Sequence, residues 1–363
     1  MRHELRQRRL EAGEAGWGKP VATPPQLTRR NKSKPLRVGV IGAGAQGIAQ
    51  SQGLKSLEIE VAGLAEIDPD RLKKAGDLLH LSEEKLFSST EQMLARLGPL
   101  DLLCVATTAP SHVRLGRLGL KAGAKRVLLE KPVDISLKDA RTFYQECLTA
   151  GVTLAVNYSR RWMLDYQAIE RCIQGGFIGE ARSISVMLGK GNLAMHASHY
   201  FDLCCFLFRS PPASVVSRLE PIEEPNVRGA EFSDPSGHCL FSFQSGARAF
   251  LDFSSDLIAK DPFIVIKGTA GRITIDEPRE FWTLQSQSNR TWTIPFVDSL
   301  KSSRLFSRVA AQILSRPDGE ICDSDGLRAL EMVLGAHLSQ KRGNELVTFP
   351  LPDVEADLGV LFP

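Results

Sequence analysis

The stretch VGVIGAGAQG, residues 38–47, decides how the chain is read. A short run of branched apolar residues ends at Ile41, and a helical pattern opens at Ala45, so Gly42, Gly44 and Gly47 form G-x-G-x-x-G at a strand-to-helix junction. Each glycine has a task there. Gly42 permits the tight turn, Gly44 lets the backbone approach a pyrophosphate with no Cβ in the way, and Gly47 lets the helix pack closely on the strand. The unpaired N–H groups of the helix start, from Ala45 and Gln46 on, then face an anion. The motif is weak alone, so its flanks must be read with it.

From Leu36 onward apolar runs alternate with amphipathic stretches. Residues 36–41, 58–65, 100–106, 125–130 and 152–156 are rich in branched residues, as expected of parallel strands buried on both faces. Between them, 45–57, 68–79, 89–97, 111–122 and 136–150 have helical spacing, and Ser89 with Gln92 and Ser136 with Asp139 resemble capping boxes. Such a βαβ series predicts an α/β, doubly wound parallel sheet. Glu66 ends the second strand 24 residues after Gly42, where a carboxylate would accept from both ribose hydroxyls of a dinucleotide and repel a 2′-phosphate. NAD is therefore expected over NADP. Asp68, just before Pro69, suits the cap of the next helix, and Glu66 in that same capping role is the structural alternative.

The 363 residues, 43% hydrophobic and 24% charged, are ordinary for a globular chain and long enough for two domains. No run approaches the roughly 18 apolar residues of a membrane span. The seven cysteines are scattered without C-x-x-C or zinc spacing, so free buried thiols and a cytoplasmic location are expected. Residues 1–34 carry nine Lys and Arg against three Glu, a net +6 within a chain of +3, which leaves the remainder at −3. Nucleic-acid binding, an acidic membrane surface and a transit peptide are readings of such a tail. A disordered extension is the plainer one, and neither nucleic acid nor membrane is expected as a partner.

Further along, Ala106 to His112 (ATTAPSH) precedes Glu130-Lys131-Pro132. Together with the glycine loop, NYSRRW at 157–162, GGFIGE at 175–180, HYFD at 199–202, KGTAGRITI at 267–275 and DGLRALEMVLGAHLS at 325–339, these landmarks resemble the Gfo/Idh/MocA oxidoreductases over nearly the whole chain after the tail. The resemblance implies a Rossmann NAD-binding domain at 35–156 and a substrate-binding and oligomerisation domain at 157–345. The extension at 1–34 and a tail segment at 346–363 flank them. The second domain is an α+β unit with a large, mostly antiparallel open sheet. Strands at 182–188, 214–219, 238–243, 247–253, 263–268, 271–276 and 291–296 and helices at about 299–314 and 325–340 agree with it. A homodimer or homotetramer through that sheet is the family expectation.

The resemblance also implies roles. Lys131, beside Glu130, lies at the nicotinamide end, where an ammonium lowers the cost of a developing alkoxide; a solvated surface lysine is the alternative. Thr107, Thr108, Pro110 and His112 fall where the loop after the fourth strand touches the nicotinamide ribose, although Ser111 and His112 also suit the start of the next helix. Family members commonly carry Asp-x-x-x-His on a helix facing the nicotinamide. His199 matches the histidine, a group able to exchange a proton near neutral pH. The carboxylate position is Met195, with His196 one residue later as a substitute on nearly the same face, a substrate contact or a structural residue. Asp202 reads as a group that orients a neighbour. Arg160 and Arg161, beside Asn157, are candidates to bind a sugar hydroxyl, carboxylate or phosphate, or to bridge the domains.

These readings converge on an NAD(P)-dependent oxidoreductase acting on a secondary alcohol or ketone of a sugar, polyol or nucleotide-sugar, with Lys131 polarising the oxygen and His199 as acid/base and no metal. The alternatives are an NAD-dependent glycosidase that oxidises its substrate transiently, and an NAD-binding regulator without turnover.

Overall fold

The computed structural model describes residues 35–362 except 223–225, 227–228, 259–260, 289, 300–303, 318, 321–324 and 357; the basic tail expected at 1–34 lies outside them. Six parallel strands form the first sheet: β1 Val38–Ile41, β2 Val61–Ala65, β3 Leu86–Phe87, β4 Leu102–Val105, β5 Arg126–Leu129 and β6 Thr153–Val156. β1, β4, β5 and β6 are buried on both faces, as their largely apolar sequences require. Their order is β3-β2-β1-β4-β5-β6, so the direction of winding reverses between β1 and β4. The crevice beyond the C-terminal ends of those two strands is where open α/β sheets bind ligands.

Five helices connect these strands: α1 Ala45–Lys55, α2 Pro69–Leu79, α3 Thr90–Leu97, α4 His112–Lys121 and α5 Leu137–Ala150. Their starts follow the local chemistry. The Asp68 carboxylate accepts from the N–H groups of Asp70 and Arg71, each at 3.0 Å, with Pro69 in the first turn. The Ser89 and Ser136 hydroxyls accept from Gln92 N (3.1 Å) and Asp139 N (3.2 Å). Each such cap contributes about 1 kcal/mol.

The second sheet has nine strands in the order β14-β13-β12-β11-β7-β10-β9-β8-β15. They are β7 Ala181–Met187, β8 Pro212–Leu219, β9 Gly237–Phe243, β10 Arg248–Asp252, β11 Phe263–Gly268, β12 Gly271–Asp276, β13 Phe281–Ser286, β14 Thr291–Pro295 and β15 Val347–Thr348. All pairings are antiparallel except β7 with β10. Alternate residues, among them Ile184, Phe241, Ile264, Ile273 and Trp282, face a core shared with the helices α8 Ser198–Phe208 and α10 Asp325–Lys341. The other face leaves Met187, Leu240, Phe250 and Phe263 partly open, with Leu240 opposite Phe250 and Met187 opposite Phe263.

Three features depart from the sequence reading. β13 and the helix α7 Leu164–Gln174, which follows the short α6 Ser159–Trp162, were not anticipated, although Trp282 and Leu284 alternate inward and Leu164, Ile169, Cys172 and Ile173 have helical spacing. The expected tail segment at 346–363 supplies β15, and Phe362 is fully buried. The expected second domain also gives back one helix. In α9 Arg304–Ser315, Phe306, Val309, Ala310, Ile313 and Leu314 join the core formed by Val38, Val40, Leu102 and Leu128 of the first sheet. The fully buried Arg126 of β5 fastens that helix's end, donating to the carbonyls of Ile313 (3.2 Å) and Arg316 (2.9 Å). The first domain is thus discontinuous in sequence. Gly53 of α1 makes room for it, since a Cβ there would lie 2.7 Å from the Phe306 ring.

Phe306→Ala is expected to destabilise the chain by about 3 kcal/mol, read from the denaturation midpoint. A loss under about 0.5 kcal/mol, the range of surface substitutions, would mean that α9 is not part of the first domain's core.

Candidate active site

The glycine loop between β1 and α1 has the form its sequence predicts. Gly42 adopts φ +97°, and a Cβ there would lie 2.6 Å from the Ala106 carbonyl oxygen at the end of β4. At Gly47 a Cβ would lie 1.9 Å from the Gly42 carbonyl oxygen. Only Gly44 is different. A Cβ there meets nothing within 4 Å, and α1 begins with no side-chain cap and no acid in its first turn, where Ala45 and Gln46 are exposed. Open space over uncapped N–H groups fits a pyrophosphate.

Glu66 stands beside this loop. One carboxylate oxygen accepts from Ala43 N at 2.9 Å and the other from Asp68 N at 3.1 Å. Both bonds fix its direction and leave lone pairs for further donors. The capping role falls to Asp68.

At the far side of the crevice, the loop after β4 is held by its own side chains. Thr107 Oγ1 and Ser111 Oγ are 2.7 Å apart, and Ser111 Oγ donates to the Thr108 carbonyl at 2.9 Å, while Thr108 and Pro110 are exposed. His112 is 1% exposed, with Nδ1 2.8 Å from the Pro132 carbonyl oxygen and Nε2 3.0 Å from that of Thr107. Both ring nitrogens face main chain. His112 therefore clamps the β4 loop to the turn after β5, and burial lowers its pKa, the two carbonyl contacts opposing that shift.

Glu130, at the end of β5, is buried and accepts on one oxygen from Gln50 Nε2 of α1 (2.6 Å) and Asn157 Nδ2 (2.7 Å). Asn157 thus points into the first domain's floor. Next to Glu130, across a cis peptide to Pro132, Lys131 donates from Nζ to the Met195 carbonyl at 2.8 Å. That bond joins the two domains.

Residues 193–197 form one wide π turn that runs into α8. Its start rests on a buried carboxylate the sequence reading did not single out: Asp234 accepts from Ala194 N (2.6 Å) and Met195 N (3.0 Å). His196 turns Nδ1 back to accept from Asn192 N at 3.1 Å. Three residues on, His199 packs edge-on to the Tyr158 ring at 5.6 Å between centroids, and its Nδ1 is enclosed with no hydrogen-bond partner among the described residues. Burial first, then the charges of Lys131, Arg160 and His196, hold its pKa well below the usual histidine value. The ring is accordingly uncharged at neutral pH.

Arg160 and Arg161, read as substrate contacts or as a bridge between the domains, are both paired with carboxylates. Arg160 gives two hydrogen bonds to Glu277 (2.6 and 2.7 Å) and one to Tyr200 Oη (2.6 Å), and Tyr166 Oη closes the same buried cluster on Glu277. Arg161 pairs with Asp202 through Nε (3.0 Å) and Nη2 (2.6 Å), the orienting part read for Asp202. A guanidinium entering a low-dielectric interior requires such a partner, and Glu277, 117 residues away, gives no local sign of being it. Gln50 and Asp234 escaped notice for the same reason, since their partners are distant in sequence.

A doubly wound sheet with this loop, roofed by a second, sheet-built domain, defines a dinucleotide-dependent oxidoreductase of two domains. The chain belongs to the Gfo/Idh/MocA family: residues 36–158 match the model of its NAD-binding Rossmann fold, and 185–274 match that of its C-terminal domain. It is 26% identical over 330 residues to a D-apiose dehydrogenase of Paraburkholderia graminis, covering 82% of this chain and 84% of that one. It is 23% identical over 260 residues to a myo-inositol 2-dehydrogenase of Thermotoga maritima, covering 68% and 76%. An inositol dehydrogenase homologue from Azotobacter vinelandii, solved with NADH and myo-inositol, shares the fold at a TM-score of 0.74 and 15% identity, over 87% of this chain and 98% of that one. Among the described residues, no helix is long and apolar enough to cross a membrane, and no three His, Cys, Asp or Glu side chains group to hold a metal.

Gly44→Ala is expected to leave the melting temperature unchanged and to weaken NADH binding at least tenfold, about 1.4 kcal/mol, by fluorescence titration. Gly47→Ala, which overpacks the strand–helix contact, should cost about 2 kcal/mol of stability. Unweakened NADH binding in Gly44→Ala would contradict a pyrophosphate at this loop.

Proposed function

We propose that the chain is an NAD-dependent dehydrogenase of a neutral sugar or polyol, moving a hydride between the nicotinamide and a secondary alcohol or ketone. The observation that carries this reading is the Lys131 Nζ bond to the Met195 carbonyl at 2.8 Å, which sets an ammonium across the domain junction against the turn that leads into the His199 helix. When bound, NAD supplies the hydride acceptor. Lys131 then donates to the substrate oxygen and favours its developing negative charge. His199, uncharged, takes the hydroxyl proton, and in the reverse direction returns it.

Gly42, Gly44, Ala45, Gln46 and Gly47 hold the pyrophosphate in this reading, and Glu66 the adenosine ribose, its charge selecting NAD over NADP. Thr107, Thr108 and Pro110 border the nicotinamide ribose. His112 and Glu130 act on the cofactor through the loops they fasten. His196 and Asn157 border the substrate. The burial of Arg160 and Arg161 against Glu277 and Asp202 supports a neutral substrate over a sugar acid or nucleotide-sugar. The names of the relatives, for D-apiose and myo-inositol, agree with that class. The half-open apolar face around Leu240, Phe250, Met187 and Phe263 supports association of copies through the large sheet.

Incubation with NAD and a panel of pentoses, hexoses and inositols should give steady NADH release with at least one neutral member. Lys131→Met and His199→Ala should each lower kcat by about 10²–10⁴ with NADH binding retained. Glycoside cleavage without net NADH would favour the transient-oxidation alternative, and NADH binding without turnover of any kind a regulator.

Because the folded pKa of His199 is lowered, its ring protonates only well below pH 6.5, and oxidation should fail only as pH falls through that lower value. An acid limb at or above about 6.5, the ordinary histidine value, would contradict His199 as the base. Leu240→Asp is expected to reduce the oligomer to monomers by sedimentation; an unchanged assembly would place the interface elsewhere.

A further inference from the structure

Lys131 acts only if its ammonium is held in one place. Position 195 has a methionine and therefore no carboxylate to hold it, and the Met195 carbonyl, 2.8 Å from Nζ, is an acceptor for it. A carbonyl has no side-chain freedom. Its direction is set wholly by the backbone of the π turn at 193–197, so whatever fixes that turn fixes the lysine's acceptor.

The start of a helix leaves its first N–H groups without partners inside the helix. Here every one of them from residue 192 to 197 is accounted for. Asn192 N donates to His196 Nδ1 at 3.1 Å and Leu193 N to the Pro235 carbonyl at 2.8 Å. Ala194 N and Met195 N donate to the two carboxylate oxygens of Asp234, at 2.6 and 3.0 Å. His196 N and Ala197 N both reach the Asn192 carbonyl, at 3.1 and 2.9 Å, and Asn192 Nδ2 in turn donates to the Asp234 carbonyl at 2.7 Å. Asp234 contacts the stretch from 192 to 195 through both its side chain and its main chain; it is 4% exposed and lies outside the helix, 39 residues from Met195. A carboxylate at a helix start is favoured by the dipole, and charged acceptors of backbone N–H groups bind about twice as strongly as neutral ones.

We propose that Asp234 is a positioning residue for Lys131, holding through the main chain of the turn the ammonium that no side chain at position 195 can hold. The inference rests on the dehydrogenase reading above. It adds to that reading a carboxylate that never touches substrate or cofactor and is nevertheless needed for the lysine to meet the substrate oxygen.

The test compares Asp234→Ala and Asp234→Asn with Asp165→Asn. Asp165 is a second buried carboxylate spent on backbone N–H groups, those of Val297 (2.9 Å) and Asp298 (2.8 Å), and has no part in the turn. Amide hydrogen exchange of the peptide spanning 192–197 is measured on the protein without cofactor, and kcat, KM and the NADH dissociation constant with whichever sugar or inositol the wild type oxidises. Asp234→Ala should speed exchange in that peptide and lower kcat at least tenfold, with NADH binding changed less than twofold. Asp234→Asn, which keeps one oxygen acceptor, should recover part of kcat. Asp165→Asn should lose stability and keep kcat within twofold. Unchanged exchange in Asp234→Ala, faster exchange with kcat intact, or an equal kcat loss in Asp165→Asn would each overturn the inference. A wild type that binds NADH and oxidises nothing in the panel would instead sink the dehydrogenase reading on which it rests.

Discussion

The site depends on one bond between domains. Lys131 leaves the end of β5 and donates to the carbonyl of Met195, 64 residues later, so the ammonium stands against the turn that leads into the His199 helix. Burial makes His199 reluctant to protonate, and the nearby ammonium adds to that effect. The charge of the lysine and the burial of the ring thus act on His199 in the same direction.

The rest of the molecule makes that meeting rigid. His112 ties the β4 loop to the Pro132 carbonyl, and Glu130 gathers Gln50 of α1 and Asn157 beyond β6 on one oxygen. On the other side, the Arg160–Glu277 and Arg161–Asp202 pairs bind the segment entering the second domain to β12's end and to α8. Removing one partner of such a buried pair costs about 3–5 kcal/mol, because the other charge stays buried without compensation. Charged residues that looked like ligand contacts are thus the fastenings of the junction.

The first domain was legible because its signals are local. Strand and helix periods, the capping residues Asp68, Ser89 and Ser136, and three glycines in a turn are each read within a few residues, and the capping bonds appear where the sequence puts them. The edges of that domain were not legible. α9 reads as an ordinary amphipathic helix, and nothing within it says which apolar surface it will cover; that depends on Gly53, Arg126 and the sheet being present together. Likewise Trp282 and Leu284 alternate, but six residues of alternation gain meaning only when paired with β12.

The sequence by itself determined the doubly wound sheet, the dinucleotide loop, Glu66 at its side and the family, since all of these are carried by residue type and short spacing. Only the tertiary structure decided that Arg160 and Arg161 are paired and not free, that Lys131 finds a main-chain acceptor, and that Asp234 holds the turn providing it. A charge signals that it needs a partner. Which partner it takes is fixed by distances across the fold, where residues 39 to 117 apart come within hydrogen-bonding reach.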